Sequence, residues 1–310
     1  MKNRWAALAT EQRNPRSRSL DVLPTERVVA LLLDEDRRAL VAALRQTRSI
    51  ARAARLVADA LQAGGDVVLA GAGTSGRLGV LEAAECPPTF GTDPKRIRAA
   101  MAGGNRSVFR AREGAEDRAD DGERVGRQLG KGDVLIGISA SSVTPYVHGA
   151  LGAARGRGAR SVLVTCAPRP GLGRLADVVI AIASGPEVLT GSTRLKAGSA
   201  TKAALNAITT AAMVRLGKAY GNLMVDLRQT SAKLVDRARR IVVSATGVAP
   251  GMADHLLAES GGEAKTAIAM AGLGVDAAAA RKYLQKAGGH VRRTLAARDK
   301  RLTPRSARLL

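Results

Sequence analysis

The stretch Asp66-Val67-Val68-Leu69-Ala70-Gly71-Ala72-Gly73-Thr74-Ser75-Gly76-Arg77 joins an unbroken apolar run to a glycine-rich turn. An apolar run without polar alternation is buried on both faces, as in a parallel sheet covered by helices. The turn leaves that strand and enters a helix. Its glycines let the backbone approach an anion closely, and a helix N-terminus offers free N–H groups and a positive dipole end. The spacing fits the G-x-G-x-x-G dinucleotide fingerprint. That fingerprint calls for an acidic residue at the end of the next strand, about 20 residues on. Here the next run ends Ala102-Gly103-Gly104-Asn105, with no acid. The adjacent hydroxyls of Thr74 and Ser75 favour a phosphate monoester over a dinucleotide.

Outward from this turn the pattern repeats. Short runs rich in Val, Ile, Leu and Ala occupy 66–72, 96–102, 133–139, 160–165 and 177–183, each followed by a Gly-, Ser- or Pro-rich turn. Helical stretches separate most of them. The fold class this predicts is α/β: a doubly wound, mainly parallel five-stranded sheet flanked by helices. Ligands of such sheets bind beyond the carboxyl ends of the strands. Upstream, 21–61 carries apolar residues at near-helical spacing, among them Leu31-Leu32-Leu33, Leu40, Leu44 and Leu61. Downstream, helices are expected at 196–217 and 231–245. Then 247–297 reads as three short helices broken at Pro250-Gly251, Gly261-Gly262 and Gly288-Gly289. The expected organisation is a flexible basic segment at 1–19, a phosphosugar-type domain with N-terminal helices at 20–228, a helical C-terminal region with a small three-helix module at 229–297, and a basic tail at 298–310.

The chain has 310 residues, of which 45% are apolar but only 2% aromatic. The core must therefore be built from Ala, Val and Leu. No apolar run approaches the roughly 18–20 residues of a membrane span, and the N-terminus lacks the apolar stretch of a secretory signal. Cys86 and Cys166 are far apart and have no metal-type spacing. A reducing, cytoplasmic location is expected. The net charge of +22 attracts anions. Specific nucleic-acid binding is not expected, because no aromatic stacking platform or binding motif accompanies that charge. A phosphorylated substrate would suit it, as would a solvated basic surface.

A second loop, Ser139-Ala140-Ser141-Ser142-Val143-Thr144-Pro145, follows the third strand. Pro145 sits where a helix would start. One Ser or Thr would serve as a cap; four hydroxyls within six residues point to a second anion-facing loop. Glu85 lies in Glu82-Ala83-Ala84-Glu85-Cys86-Pro87-Pro88-Thr89, where the proline pair is expected to stop the helix that starts at the first loop. A carboxylate at a helix C-terminus is opposed by the dipole, an arrangement that suits a general acid. The alternative is an exposed surface glutamate. Glu113-Gly114-Ala115-Glu116-Asp117 clusters three acids in five residues; on its own that is a solvated turn, and it gains weight as a partner for Glu85.

Four blocks carry a resemblance. Gly71–Gly79 running on through Glu85-Cys86-Pro87-Pro88-Thr89-Phe90-Gly91, Glu113–Asp117, Thr190-Gly191-Ser192-Thr193-Arg194-Leu195-Lys196-Ala197-Gly198, and Gly221-Asn222-Leu223-Met224-Val225-Asp226 resemble the signatures of the N-acetylmuramic acid 6-phosphate etherase family. That family has the sugar isomerase (SIS) fold and is related to glucokinase regulatory protein. The likeness runs from about Thr10 to Leu295. It implies cleavage of the D-lactyl ether of N-acetylmuramic acid 6-phosphate to N-acetylglucosamine 6-phosphate and D-lactate in cell-wall sugar recycling, without metal or nucleotide cofactor, by a homodimer. By position in the matched motifs, Glu85 would be the acid and Glu116 the base. Gly73, Thr74, Ser75 and Gly76, with Ser139, Ser141, Ser142 and Thr144, would bind substrate and phosphate. Arg77, Glu187, Arg194 and Lys196 are further candidates.

One departure stands out. The family usually has Gly-Arg where this chain has Ser142-Val143, so a cation and a flexible residue are replaced. Arg77, Arg194 or Lys196 could compensate. The rival readings are a non-catalytic sugar-phosphate regulator, favoured by that change and opposed by Glu85 and Glu116, and an isomerase of another phosphosugar.

Overall fold

The computed structural model describes residues 8–229 and 231–302. The first seven residues of the expected basic leading segment, and 303–310 of the basic tail, lie outside them. Residues from Ala9 to Val22 form three short 3-10 turns rather than a loose segment, and Thr10 and Asn14 within them are buried.

Two helices follow, α1 (Thr25–Leu44) and α2 (Thr47–Gln62). Then come β1 (Val67–Gly71), α3 (Gly73–Phe90), β2 (Ile97–Met101), the single turn α4 (Arg106–Phe109), α5 (Ala119–Gly126), β3 (Val134–Ile138), α6 (Pro145–Gly156), β4 (Arg160–Thr165), β5 (Val178–Ala181) and α7 (Lys196–Arg215). The five strands pair in parallel in the order β2-β1-β3-β4-β5. Register is fixed by Val67 opposite both Ile97 and Val134. The chain reverses its direction of sheet growth between β1 and β3, so the crevice at their carboxyl ends is the place where a doubly wound sheet takes its ligand.

Every residue of β1 and β3 is buried, which is why their sequences show no alternation. Val68, Ala70 and Leu135 pack in one cluster with Tyr146, Val147 and Leu151 of α6. Leu69 and Ile138 lie on the opposite face, where α3 comes near enough that a Cβ on Gly79 would stand 3.2 Å from Leu69 Cβ. Each fully buried Leu or Ile contributes about 2 kcal/mol of transfer free energy. With few aromatics available, small residues let backbones approach. A Cβ on Gly122 of α5 would collide with the Tyr146 carbonyl, and one on Gly149 of α6 with the Ala119 carbonyl.

Helix α2 is amphipathic and buries Ala53, Ala54, Val57 and Ala58. Helix α1 is inverted. It buries Glu35, Ala39 and Ala43, while Val29, Leu33, Leu40 and Leu44 are exposed. Two further differences from the sequence expectation concern helix ends. Helix α3 does not stop before the prolines but runs through Pro87 and Pro88 to Phe90. A proline removes one N–H and crowds the carbonyl four residues back, which weakens a helix without forbidding it; buried Cys86 anchors the stretch.

The chain divides into two compact units, one reaching to Ala84 and taking in Asp93–Ala212, the other comprising Glu85–Thr92 and the chain from Met213 onward. The boundary expected at 228 lies inside the second. That unit holds a two-stranded antiparallel ribbon, β6 (Ala219–Tyr220) and β7 (Leu223–Met224), then α8 (Ala232–Thr246), α9 (Pro250–Glu259), α10 (Ala264–Leu273), α11 (Ala277–Lys286) and α12 (Val291–Leu302). Four helices thus follow α8 instead of three. The additional break is at Gly274, which caps α10 in the left-handed region at φ +68°. The core of this unit is built from Ile241, Val242, Leu256, Leu257, Ile268 and Met270. Among the described residues no single helix is long and apolar enough to cross a membrane.

Candidate active site

The first loop turns from β1 into α3 within two residues. Gly73 takes φ +54°. Gly71 and Gly76 touch: a Cβ on Gly76 would stand 2.6 Å from the Gly71 carbonyl oxygen, and one on Gly71 2.8 Å from the Gly76 nitrogen. The turn therefore closes only with glycine at both positions. Thr74 and Ser75 are half-buried, and neither hydroxyl has a hydrogen bond to a described residue. A Cβ on Gly198, in the first turn of α7, would lie 3.7 Å from Thr74 Cγ2, so the start of α7 borders this loop.

In the second loop three of the four hydroxyls are engaged by hydrogen bonds, two of them with each other. Ser139 Oγ and Thr144 Oγ1 share a hydrogen bond of 2.8 Å, and Ser139 Oγ also accepts from the Ser142 N–H at 3.1 Å. Ser142 is buried at φ +60°, and its Oγ accepts from the Leu172 N–H at 3.1 Å. The residue that replaces a glycine thus holds a backbone conformation that suits glycine, and its hydroxyl ties the loop to 172. Ser141 is half-buried with no hydrogen bond to a described residue, which leaves its hydroxyl available.

Beside the first loop lies a cavity of about 300 Å³, whose walls include Gly73, Arg77, Arg112, Glu113 and Glu116. Glu116 stands in a 3-10 turn (Ala115–Asp117) that Gly114 enters at φ +68° and buried Ala115 anchors to the core. Its own side chain is exposed. The Arg77 guanidinium donates to the carbonyls of Ser107 (2.9 Å) and Val108 (2.8 Å). It shapes the wall by pinning α4, and that engages much of its donor capacity. Glu85 is exposed on α3, with no hydrogen bond or ion pair to a described residue. It belongs to the other compact unit.

The two candidates near the start of α7 are structural in their contacts. The Glu187 carboxylate accepts the N–H groups of Lys196 (3.3 Å) and Ala197 (3.0 Å) and so caps α7. Burial pushes this carboxyl up, against the pull of those N–H groups and of Lys196. The Lys196 ammonium is buried against the Glu35 carboxylate. Burial raises the Glu35 carboxyl, but the hydrogen bonds from Lys196 and Arg16 outweigh it and hold it below the usual range. Lys196 therefore does not stand free to replace the cation missing at 143, whereas Arg194 is exposed.

Sequence reasoning missed this network. Glu35 also accepts from Asn14 Nδ2 (3.0 Å) and Arg16 Nη1 (2.6 Å), and the same Asn14 amide donates to the Pro186 carbonyl at 3.1 Å. The leading segment is thus bound to the loop that precedes α7. The available signal was the spacing of Glu35 with Ala39 and Ala43, one helical face containing an acid. Glu82, buried and bonded to Asn206 and Thr209 of α7, was also missed as a site-organising residue. Among the described residues, no group of three or more His, Cys, Asp or Glu side chains is placed to hold a metal ion.

A parallel 2-1-3-4-5 sheet with hydroxyl-bearing turns at its switch point defines a doubly wound α/β protein built to take an anionic ligand there. The family model described as glucokinase regulatory protein N-terminal SIS domain matches residues 49–155. An N-acetylmuramic acid 6-phosphate etherase from Mycolicibacterium smegmatis is 47% identical over 296 residues, covering 94% of this chain and 99% of its own. One from Cutibacterium acnes is 50% identical over 285 residues, covering 91% and 94%. The solved phosphoheptose isomerase of Francisella tularensis, 14% identical, covers 61% of this chain and 97% of its own at a TM-score of 0.47. The chain belongs to the N-acetylmuramic acid 6-phosphate etherase family.

Proposed function

We propose that the protein cleaves the D-lactyl ether of N-acetylmuramic acid 6-phosphate, releasing D-lactate and N-acetylglucosamine 6-phosphate in cell-wall sugar recycling. The observation that carries this reading is the 47% and 50% identity to two etherases over 94% and 91% of this chain. The geometry of the first loop and of Glu116 on one cavity supports it.

Ethers resist direct hydrolysis. In the open-chain sugar the C2 proton is α to the C1 aldehyde, and the lactyl oxygen on C3 is β to it. In this reading Glu116 removes the C2 proton, the C3–O bond breaks, and Glu85 protonates the departing lactate oxygen. Water then adds at C3 and a proton returns to C2, which restores both carboxyl groups. Such chemistry needs one carboxylate and one carboxylic acid at the start of the cycle. Thr74, Ser75 and Ser141 are assigned to the phosphate, because their hydroxyls are not engaged elsewhere. Ser139, Ser142 and Thr144 are assigned to shaping the second loop, with Thr144 retaining capacity for one more hydrogen bond. Gly73 and Gly76 give the backbone its close approach.

A homodimer belongs to the same reading. The exposed stripe Val29, Leu33, Leu40 and Leu44 lies along one side of α1, and a second copy of the chain would cover it. A cytoplasmic setting belongs to the same reading, with Cys86 and Cys166 buried as thiols in the two compact units. The test is D-lactate release from N-acetylmuramic acid 6-phosphate. Glu85→Ala is expected to abolish it while the fold survives; undiminished turnover by that variant would refute the acid assignment.

A further inference from the structure

The C-terminal unit contains a cavity of about 560 Å³ that the proposed reaction does not use. Its walls include Gly91, Lys218, Asp226, Arg228, Gln229 and Lys265. Lys218 Nζ and Lys265 Nζ lie 2.9 and 2.7 Å from the same oxygen, Oδ2 of Asp226. Two ammoniums are thereby held close together against one carboxylate. Lys265 and Asp226 are largely buried, with side-chain exposures of 13% and 16%.

Charge does not balance at this point. Glu263, the other acid on the wall, is engaged by the Thr266 hydroxyl at 2.7 Å and by Arg281 Nε at 2.9 Å. Arg228 adds a further cation. Its Nη2 donates to the Thr92 carbonyl at 3.2 Å, and it has no carboxylate partner among the described residues. Lys265 is the ammonium held away from water, and it shares its one carboxylate with Lys218, an arrangement that favours a further counter-charge. Burial lowers the Lys265 ammonium below the usual lysine range, Asp226 opposes this, and Lys218 adds to it.

We infer that this cavity is a second anion site, which takes a phosphate group, free or as a phosphate monoester, between Lys218, Lys265 and Arg228. A tetrahedral dianion offers several oxygens at once. It can accept from both ammoniums without displacing Asp226 and can reach the guanidinium in the geometry that Arg favours. Occupation would compensate the excess charge and stabilise the fold by mass action.

The test uses the full chain and inorganic phosphate, titrated calorimetrically with ionic strength held constant by chloride. Replacing the first-loop hydroxyls (Thr74→Val with Ser75→Ala) is expected to leave phosphate binding at this cavity intact. Lys218→Met is expected to weaken it about tenfold, the loss of one charge-assisted hydrogen bond. Asp226→Asn, which removes the competing carboxylate, is expected to tighten it. Arg228 is exposed, so Arg228→Gln keeps the test open if a buried variant fails to fold; it should weaken binding with an unchanged melting temperature in chloride. Phosphate binding that Lys218→Met and Arg228→Gln leave unchanged, or that vanishes with the first-loop hydroxyls, would overturn the inference. Lactate release is read separately and does not enter the result.

Discussion

Glu35 and Lys196 are 161 residues apart in the chain, yet their side chains form an ion pair that solvent scarcely reaches. The pair links α1 to the first residue of α7, and Asn14 extends it to the carbonyl of Pro186. Removing one partner of such a pair leaves the other charge buried. Glu35→Gln is expected to destabilise the protein by about 3 kcal/mol, measured by urea denaturation. A change below about 1 kcal/mol, the range of surface pairs, would show that the charge escapes to water.

The contact between Gly71 and Gly76 predicts a second effect. In Gly76→Ala the new methyl meets a backbone oxygen rather than a yielding side chain. A loss of about 2 kcal/mol is expected from overpacking, together with weaker phosphate retention at the first loop. Gly104 has open space around it, so its alanine variant meets no clash; its left-handed φ is then the only cost.

Ser142 allows a paired comparison. Its left-handed backbone costs about 1 kcal/mol in a non-glycine residue, while its hydroxyl's bond to the Leu172 N–H returns a similar amount. Ser142→Gly removes both and should be nearly neutral. Ser142→Ala keeps the strain and loses the bond, so it should be less stable than the native protein by about 1 kcal/mol and less stable than the glycine variant by the cost of the strain. Thermal melts of both variants decide it; an alanine variant as stable as the native protein would mean that the hydroxyl contributes nothing.

Asp34 supplies a pH signature. Hydrogen bonds from Arg37 and Arg16 hold its carboxyl at about 2, below the ordinary aspartate value. A group lowered on folding stabilises the native state above its unfolded pKa, about 3.9, and loses that contribution as pH falls through the folded value. The stability gap between the native protein and Asp34→Asn should therefore be constant near neutral pH and shrink between about pH 4 and pH 2. A gap independent of pH across that window would contradict the pairing.

The central strands were legible because they are covered on both faces, and unbroken apolar runs such as Val67–Gly71 and Val134–Ile138 cannot be mistaken for half-exposed ones. The first loop was legible for a local reason: its glycines and hydroxyls act within a few residues of one another. Features set by distant partners were not. The α1 leucines promised a helix, but which side of it would be covered depended on Glu35 finding Lys196. Prolines 87 and 88 signalled a stop that tertiary packing overrides, and Gly274 looked like any interior glycine until its φ was known. Among the site candidates, sequence could propose Lys196 and Arg77 as cations but not that the first is neutralised and the second engaged by carbonyls.

The seam between α5 and α6 has a consequence of another kind. At Gly122 and Gly149 the opposing backbones leave no volume for a side chain, so a saturation mutagenesis screen would return both as intolerant to every replacement. Neither lines the cavity beside the first loop or the one in the C-terminal unit. Ranked by intolerance alone, these two positions would sit beside the proposed catalytic carboxylates while having no part in the proposed chemistry. What would separate the two groups is the soluble yield of each variant: lost at the seam, and retained at Glu116.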